Sequence, residues 1–266
     1  MSIQIDRLSH SFPPGYAENN KYLAKVHTLF PMMDEPFCEE NVYYRAINNE
    51  NELDEVKLLH KEWFPPQYPD DFYRALLRNN VYKSLLCLYD ASIKGQKHTL
   101  ILGCITYEYR EVDYDILKFS LTDLFSEKRC VYILTFGVIN EVRKKGIGSK
   151  LLKRVITETS KDYSVKYIYL DVVEYNDQGI RCYENNGFVR AYTKNNHYNI
   201  FDKEYNAHVY CYFTNDGEMA KSLVEMLKAC LYYMNVPYHL YNACRAGINQ
   251  LKQGYNRTLR YKELKV

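Results

Sequence analysis

Hydrophobic positions along the first third of the chain change period several times. Val42 to Ile47 reads as a strand, and Asn49 opens a stretch in which Leu53, Val56, Leu59 and His60 fall on one helical face until the Trp63-Phe64-Pro65-Pro66 break. A second short helix follows Pro69 and runs to about Arg78. Two β-rich runs come next, Lys83 to Tyr89 and Thr99 to Glu111, separated by the polar segment Ser92 to Lys97, which predicts a hairpin. Residues 113–129 alternate acids with Phe and Leu without a period and predict a surface loop. Beyond it, Val131 to Ile139 predicts a strand, Gly146 to Ser160 a helix, Val165 to Val173 a strand, and Asp177 to Asn186 a helix closed by Gly187. Strand, helix, strand, helix in that order predicts parallel pairing. Phe188 to Tyr192 and Ala207 to Phe213 predict two last strands joined by a long polar loop. The first 40 residues mix Pro, Asn and Ser with scattered apolar positions and predict an extended arm, with room for part of it to pack on the body. The organisation expected is therefore an arm over 1–40, one α/β body over 41–214, and a tail over 215–266.

Composition narrows this picture modestly. With 266 residues the chain suits one or two domains, and 35 Lys and Arg against 33 Asp and Glu give no overall pull toward nucleic acid or membrane. The basic excess is local: from Gly217 onward there are eight Lys or Arg and only Glu218, Glu225 and Glu263. Within that tail Met219, Leu223, Met226, Leu227, Cys230, Leu231 and Met234 share one helical face, as do Tyr241, Cys244, Ile248, Leu251 and Tyr255 after Pro237. A basic helix with such a face suits the headgroup region of an anionic membrane, or packing on the body or against a partner. No run approaches the roughly 18 apolar residues of a spanning helix, and the first 30 residues lack the order of a signal peptide, so a cytosolic protein is expected. Eight cysteines without a C-x-x-C pair predict free, mainly buried thiols.

The sharpest chemical signal is Arg143-Lys144-Lys145-Gly146-Ile147-Gly148, set between a strand and a helix. Two glycines let backbone approach a ligand closely, and the N–H groups and positive dipole of the helix start attract a pyrophosphate. Neither G-x-x-x-x-G-K-[ST] nor G-x-G-x-x-G is present. The loop, followed by a helix, a strand and a second helix bearing Asn176 and Tyr183-Glu184-Asn185-Asn186-Gly187-Phe188, resembles the GNAT acetyltransferases. The resemblance implies a mixed twisted sheet flanked by helices, acetyl-CoA as co-substrate and no metal. It places the cofactor against Leu134, Phe136, Gly137, Val138, Arg143, Lys144, Lys145, Gly146, Ile147, Gly148, Ser149, Asn176, Tyr183, Glu184, Asn185 and Asn186, with Tyr183 near the thioester sulfur.

Within that family the chain is most similar to the NatF-type N-terminal acetyltransferases, a Golgi-membrane branch, through Glu62 to Pro69 (EWFPPQYP), Tyr132 to Val138 (YILTFGV), the basic glycine loop, and Ile168-Tyr169-Leu170 with the Tyr183-Glu184-Asn185 segment. This implies acetyl transfer to protein N-termini that retain the initiator methionine, including those of membrane proteins, on the cytosolic face of a Golgi or other organelle membrane. It also implies a peptide site walled by Phe64, Pro65 and Tyr68, with Leu134 and Tyr198 contributing, and a catalytic Tyr132. No nucleic-acid partner is expected. One position departs: where NatF relatives carry histidine after Tyr-Leu, this chain has Asp171. Asp171 is therefore the expected base or water anchor, with Tyr132 and water, or His197, as the alternatives. Lysine acetylation, and acetyl-CoA binding without catalysis, are the rival activities.

Overall fold

The computed structural model describes residues 23–64, 68–113, 116 and 127–219. Seven strands form one sheet in the order β1-β2-β3-β4-β5-β7-β6: β1 Val42–Arg45, β2 Tyr82–Ile93, β3 Gln96–Glu111, β4 Arg129–Val138, β5 Val165–Val173, β6 Val189–Ile200 and β7 Lys203–Phe213. Only β4 and β5 run parallel, as required when α4 (Ile147–Thr159) crosses between them. The other helices are α1 Lys25–Leu29, α2 Glu50–Trp63, α3 Asp70–Arg78 and α5 Asp177–Asn185. The expected mixed sheet flanked by helices is thus present.

Two of the helix starts follow from capping groups in the sequence. The Asn49 side chain accepts from Glu52 N at 2.9 Å, and that of Asn176 accepts from Gly179 N at 2.9 Å, each satisfying a backbone donor the first turn cannot. Helices α2 and α4 cover opposite faces of the sheet. A Cβ built on Gly137 of β4 would lie 2.1 Å from the Trp63 ring of α2, whereas one on Gly103 of β3 would lie 3.1 Å from Leu151 of α4. Both strands therefore need glycine where a helix presses on the backbone.

Two expectations require correction. Residues 23–41 are not an extended arm: α1 and two short 3-10 turns pack on the body, with Val26 fully buried and Ala24 nearly so. The polar stretch after Tyr192 is not a long loop. It continues β6 to Ile200 and turns on Phe201 and Asp202, both at positive φ, into β7. As the edge strand, β6 exposes much of its surface, so it has no need of the apolar alternation that marks a half-buried strand. The described thiols are free and mainly buried, as expected; Cys38, in the N-terminal segment, is exposed. Only Asp113, Ile116 and residues 127–128 of the expected 113–129 surface loop are described. Ile116 is buried, and Asp113 N donates to the Tyr167 hydroxyl at 2.7 Å. The amphipathic stripes of the tail, from residue 220, lie outside the described residues. Among those described, no helix is long and apolar enough to cross a membrane.

His27 ties the N-terminal segment down. Its Nε2 is 2.7 Å from Glu62 of α2 and its Nδ1 3.2 Å from Glu141, in the turn that precedes the basic glycine loop. Donation to the Glu62 carboxylate leads the causes that raise its pKa to about 9, against the opposing effect of burial. A raised pKa stabilises the fold fully below the unfolded value of 6.5, and the contribution disappears as pH rises through 9. With solvent screening allowed for, it is worth on the order of 1–2 kcal/mol. Urea denaturation of wild type and His27→Gln should therefore differ by about that much near pH 6 and converge near pH 10. A difference independent of pH would show that the ionised pair is not the source.

Candidate active site

The site is organised by where β4 and β5 stop pairing. Their register runs from Arg129↔Val165 to Tyr132↔Tyr169 and then ends, so the two strands diverge from that point onward. A bulge in β4 adds a second feature. Opposite β3, Thr106 pairs Thr135 but Tyr107 pairs Ile133, leaving Leu134 as the extra residue. Side chains alternate faces along a strand, so one added residue reverses the alternation. Phe136 consequently faces α4, within 3.1 Å of a Cβ built on Gly148, while Tyr132 faces the α2 side. The gap between β4 and β5 joins the two faces.

On the α4 face lies a cleft of about 580 Å³. Phe136, Val138, Arg143, Lys144, Gly146, Ile147, Gly148, Ser149, Asn176 and Asn185 line it, together with Val142, Tyr175, Gln178 and Arg181. Gly146 caps α4 at φ 78°, a left-handed conformation suited to glycine, and the free N–H groups of the first turn of α4 open beside it. Arg143 is held by a hydrogen bond from Nε to the Val138 carbonyl at 3.1 Å, and burial lowers its pKa. Two buried polar atoms at the cleft, Asn176 Nδ2 and Gln178 Oε1, have no hydrogen-bond partner among the described residues. Buried groups of that kind are costly unless something binds there. The remaining expected cofactor residues, Leu134 among them, are not in the cleft lining. Lys145 Nζ lies over the Phe37 ring at 4.6 Å, Glu184 accepts from the Tyr210 hydroxyl at 2.8 Å, and Asn186 Nδ2 donates to Ser149 Oγ at 3.0 Å. Tyr183 is fully buried 6.0 Å from Phe136, and Gly137 is covered by Trp63.

The α2 face carries an aromatic wall. Phe64 and Tyr68 meet edge to face at 6.2 Å, and Tyr68 stacks on Phe72 at 4.7 Å. Pro65 lies outside the described residues. Behind this wall His60, fully buried and so held neutral at a pKa of about 3, lies 3.3 Å from both the Tyr73 hydroxyl and Thr135 Oγ1. It joins α2 and α3 to β4. The Tyr68 hydroxyl reaches the Leu134 carbonyl at 3.5 Å, so the bulge and the wall touch.

At the gap itself the Tyr132 hydroxyl donates to Asp171 Oδ2 at 3.1 Å. Burial first, and the Asp171 charge second, hold the Tyr132 phenol well above its usual pKa, so it remains a donor. The Tyr132 ring packs on Tyr169 at 4.7 Å and lies beneath the Arg110 guanidinium at 4.1 Å. Asp171 is only 3% exposed, and Lys194 Nζ stands 3.0 Å from both of its carboxylate oxygens. His197 Nε2 is 3.7 Å from Oδ2. Tyr198 is buried, with no hydrogen-bond partner for its hydroxyl among the described residues. Burial first, then the charge of Asp171, raises its pKa.

A family model described as "Acetyltransferase (GNAT) family" matches residues 53–188. N-alpha-acetyltransferase 60 of Xenopus tropicalis is 34% identical over 181 residues, covering 67% of this chain and 72% of the relative. The chain belongs to the GNAT acetyltransferase family. Among other relatives of this GNAT chain, histone acetyltransferase MCC1 of Arabidopsis thaliana is 26% identical over 199 residues, covering 73% of the chain and 78% of MCC1. The crystal structure of Arabidopsis thaliana NAA60 in complex with acetyl-CoA superposes with a TM-score of 0.59 at 23% identity, over 65% of the chain and 99% of that structure, and shares the fold.

Sequence reasoning about this GNAT chain missed Lys194, His60, Arg110 and the lining residues Tyr175, Gln178 and Arg181. Lys194 was hidden because Thr193 to Asn206 reads as loop, and a strand reading was the only signal that could have placed it on the face of Asp171. His60 was read as a helix-face residue only, and nothing in its spacing links it to Thr135, 75 residues away. Asn176 fills two roles, capping α5 and facing the cleft. Asn176→Ala should cost about 1 kcal/mol in chemical denaturation through loss of the cap, and Asn176→Asp, which keeps the accepting oxygen, should recover most of it. Equal stability of all three proteins would exclude the cap.

Proposed function

We propose that this chain transfers the acetyl group of acetyl-CoA to the α-amine of protein N-termini, in particular those that retain the initiator methionine. The observation that carries this reading is the gap between β4 and β5. A cleft with a glycine-opened helix start lies on one face, an aromatic wall lies on the other, and the Tyr132–Asp171 pair stands where they meet. The cleft suits acetyl-CoA. Arg143, Lys144 and the first turn of α4 offer charge and N–H donors to a pyrophosphate, and Asn176 and Gln178 offer buried polar atoms that lack partners. The 34% identity to N-alpha-acetyltransferase 60 supports a peptide amine as acceptor. The aromatic wall of Phe64 and Tyr68 supports a bulky apolar first side chain such as methionine.

The reaction forms a C–N bond from the amine to the thioester carbonyl carbon and breaks the C–S bond. The proton shed by the nitrogen leaves through ordered water, and the departing thiolate takes up a proton to become free CoA. An α-amine with a pKa near 7.7–8 is neutral in roughly a tenth to a quarter of molecules near pH 7.2, against about one in a thousand for lysine, so the first requirement is positioning. Tyr132, held as a donor by Asp171, orders the water that receives the amine proton. Asp171 anchors this arrangement in the position where histidine was expected from resemblance. Tyr198 and Tyr68 close on the peptide backbone from opposite sides, and Tyr183 borders the thioester.

Purified protein with acetyl-CoA should acetylate a Met-Lys peptide on its free α-amine and leave an N-terminally blocked copy unmodified, with the acetyl position read by mass spectrometry. Modification of the lysine side chain in the blocked copy would favour the lysine acetyltransferase reading instead. Acetyl-CoA binding without any product would favour a module lacking catalysis.

The basic tail supports a second part of the reading, peripheral attachment of a cytosolic enzyme to an anionic organelle membrane such as the Golgi. The full chain should co-sediment with phosphatidylserine-containing liposomes and lose that behaviour on truncation to residues 1–215. Equal sedimentation of both forms would refute the attachment.

A further inference from the structure

The buried carboxylate at the gap has a cationic partner supplied from two strands away. Asp171 on β5 stands opposite Val209 on β7, which stands opposite Tyr192 on β6. One step along the same face, Val173 stands opposite Ala207, and Ala207 opposite Lys194. All six side chains rise from one side of the sheet, since residues paired in register share a face. Ala207 carries only a methyl group between Lys194 and β5, so the lysine stem can cross it and bring Nζ to 3.0 Å from each oxygen of Asp171. The side chain of Asp171 is 4% exposed and that of Lys194 30%, so the ammonium head reaches inward while the lysine keeps contact with solvent.

Physical chemistry requires something of this kind at the position. A carboxylate withdrawn from water without a countercharge is strongly unfavourable, and the neutral Tyr132 hydroxyl offsets only part of that cost. His197 Nε2, 3.7 Å from Oδ2, is within ion-pairing range but beyond hydrogen-bond reach, whereas Lys194 contacts both oxygens. A carboxylate has two equivalent oxygens and turns freely about its last bond. Contacts from one ammonium to both oxygens restrict that rotation and leave Oδ2 aimed at Tyr132.

We propose that Lys194 is a positioning residue for acetyl transfer: its ammonium holds Asp171 oriented to accept the Tyr132 hydrogen bond, and thereby fixes the Tyr132 hydroxyl at the gap. The proposal rests on the N-terminal acetyltransferase reading given above. Lys194 acts through Asp171 and does not touch substrate.

The test is a kinetic double-mutant cycle on wild type, Lys194→Met, Asp171→Asn and Asp171→Asn/Lys194→Met, using the free Met-Lys peptide and acetyl-CoA. Lys194→Met should lower kcat about tenfold or more with the KM for acetyl-CoA unchanged, while in the Asp171→Asn background it should change kcat by less than about twofold. A kcat equal to wild type in either single variant would overturn the proposal. Losses that multiply in the double variant would do the same, as would a change confined to the KM for peptide. Lys194→Met leaves a buried charge unpaired and is checked for folding by its thermal transition. Should it not fold, Asp171→Asn and the double variant, which bury no charge, decide by themselves: equal kcat supports the role and a further loss overturns it. Absence of transfer by the wild type would remove the functional reading and the proposal with it. Transfer by the wild type with undiminished Lys194→Met would remove the proposal alone.

Discussion

The arrangement of this protein depends on the point at which two parallel strands cease to hydrogen-bond. Up to Tyr132 and Tyr169 the sheet is continuous, and past them β4 and β5 diverge. Backbone groups that a sheet would ordinarily pair are thereby left facing a gap, a state tolerated only where another polar ligand can come in. The gap converts a two-sided α/β layer into a passage, so that two substrates can reach one point from opposite faces. Without it the cleft beside α4 and the aromatic wall beside α2 would be two unrelated depressions separated by a sheet. The bulge at Leu134 completes the device by turning Phe136 and Tyr132 to different faces.

Electrostatics at the gap are concentrated in one buried carboxylate. Burial of that charge is unfavourable unless it is paired and hydrogen-bonded, and Lys194 and Tyr132 meet both conditions. The surrounding phenols of Tyr132, Tyr169, Tyr192 and Tyr198 all have raised pKa values, with burial the leading cause in each. They remain neutral donors across the physiological range. This accounts in part for the abundance of tyrosine, which can pack an aromatic body in the sheet and still present a hydroxyl at the gap.

Legibility of the fold followed periodicity and punctuation. Helices α2, α4 and α5 were readable because each has an apolar face and a recognisable start, at Asn49, Gly146 and Asn176 respectively. β4 and β5 were readable because strands buried on both faces form near-continuous apolar runs. Two segments were not. β6 is polar because an edge strand exposes its surface, and the residues before Val42 look irregular because a few of their apolar side chains, Val26 above all, reach the core. The basic glycine loop was legible as phosphate chemistry, since its residue types and its place before a helix carry the physics locally. The carboxylate network was not, since Asp171 and Lys194 are 23 residues apart with no periodicity linking them.

The sequence alone determined most of the succession of elements from Val42 onward, parallel pairing across a helix, the glycine-opened helix start and the aromatic residues of the wall. These depend on contacts within a turn or two of the chain, where spacing dictates which side chains and backbone groups can meet. Only the tertiary structure decided that the N-terminal segment is held down by His27, that β4 carries a bulge reversing its faces, and that Lys194 is the counterion of Asp171. Each of those depends on register between segments distant in the chain. A shift of one residue in register moves every side chain to the other face, so sequence that leaves register open leaves the site open as well.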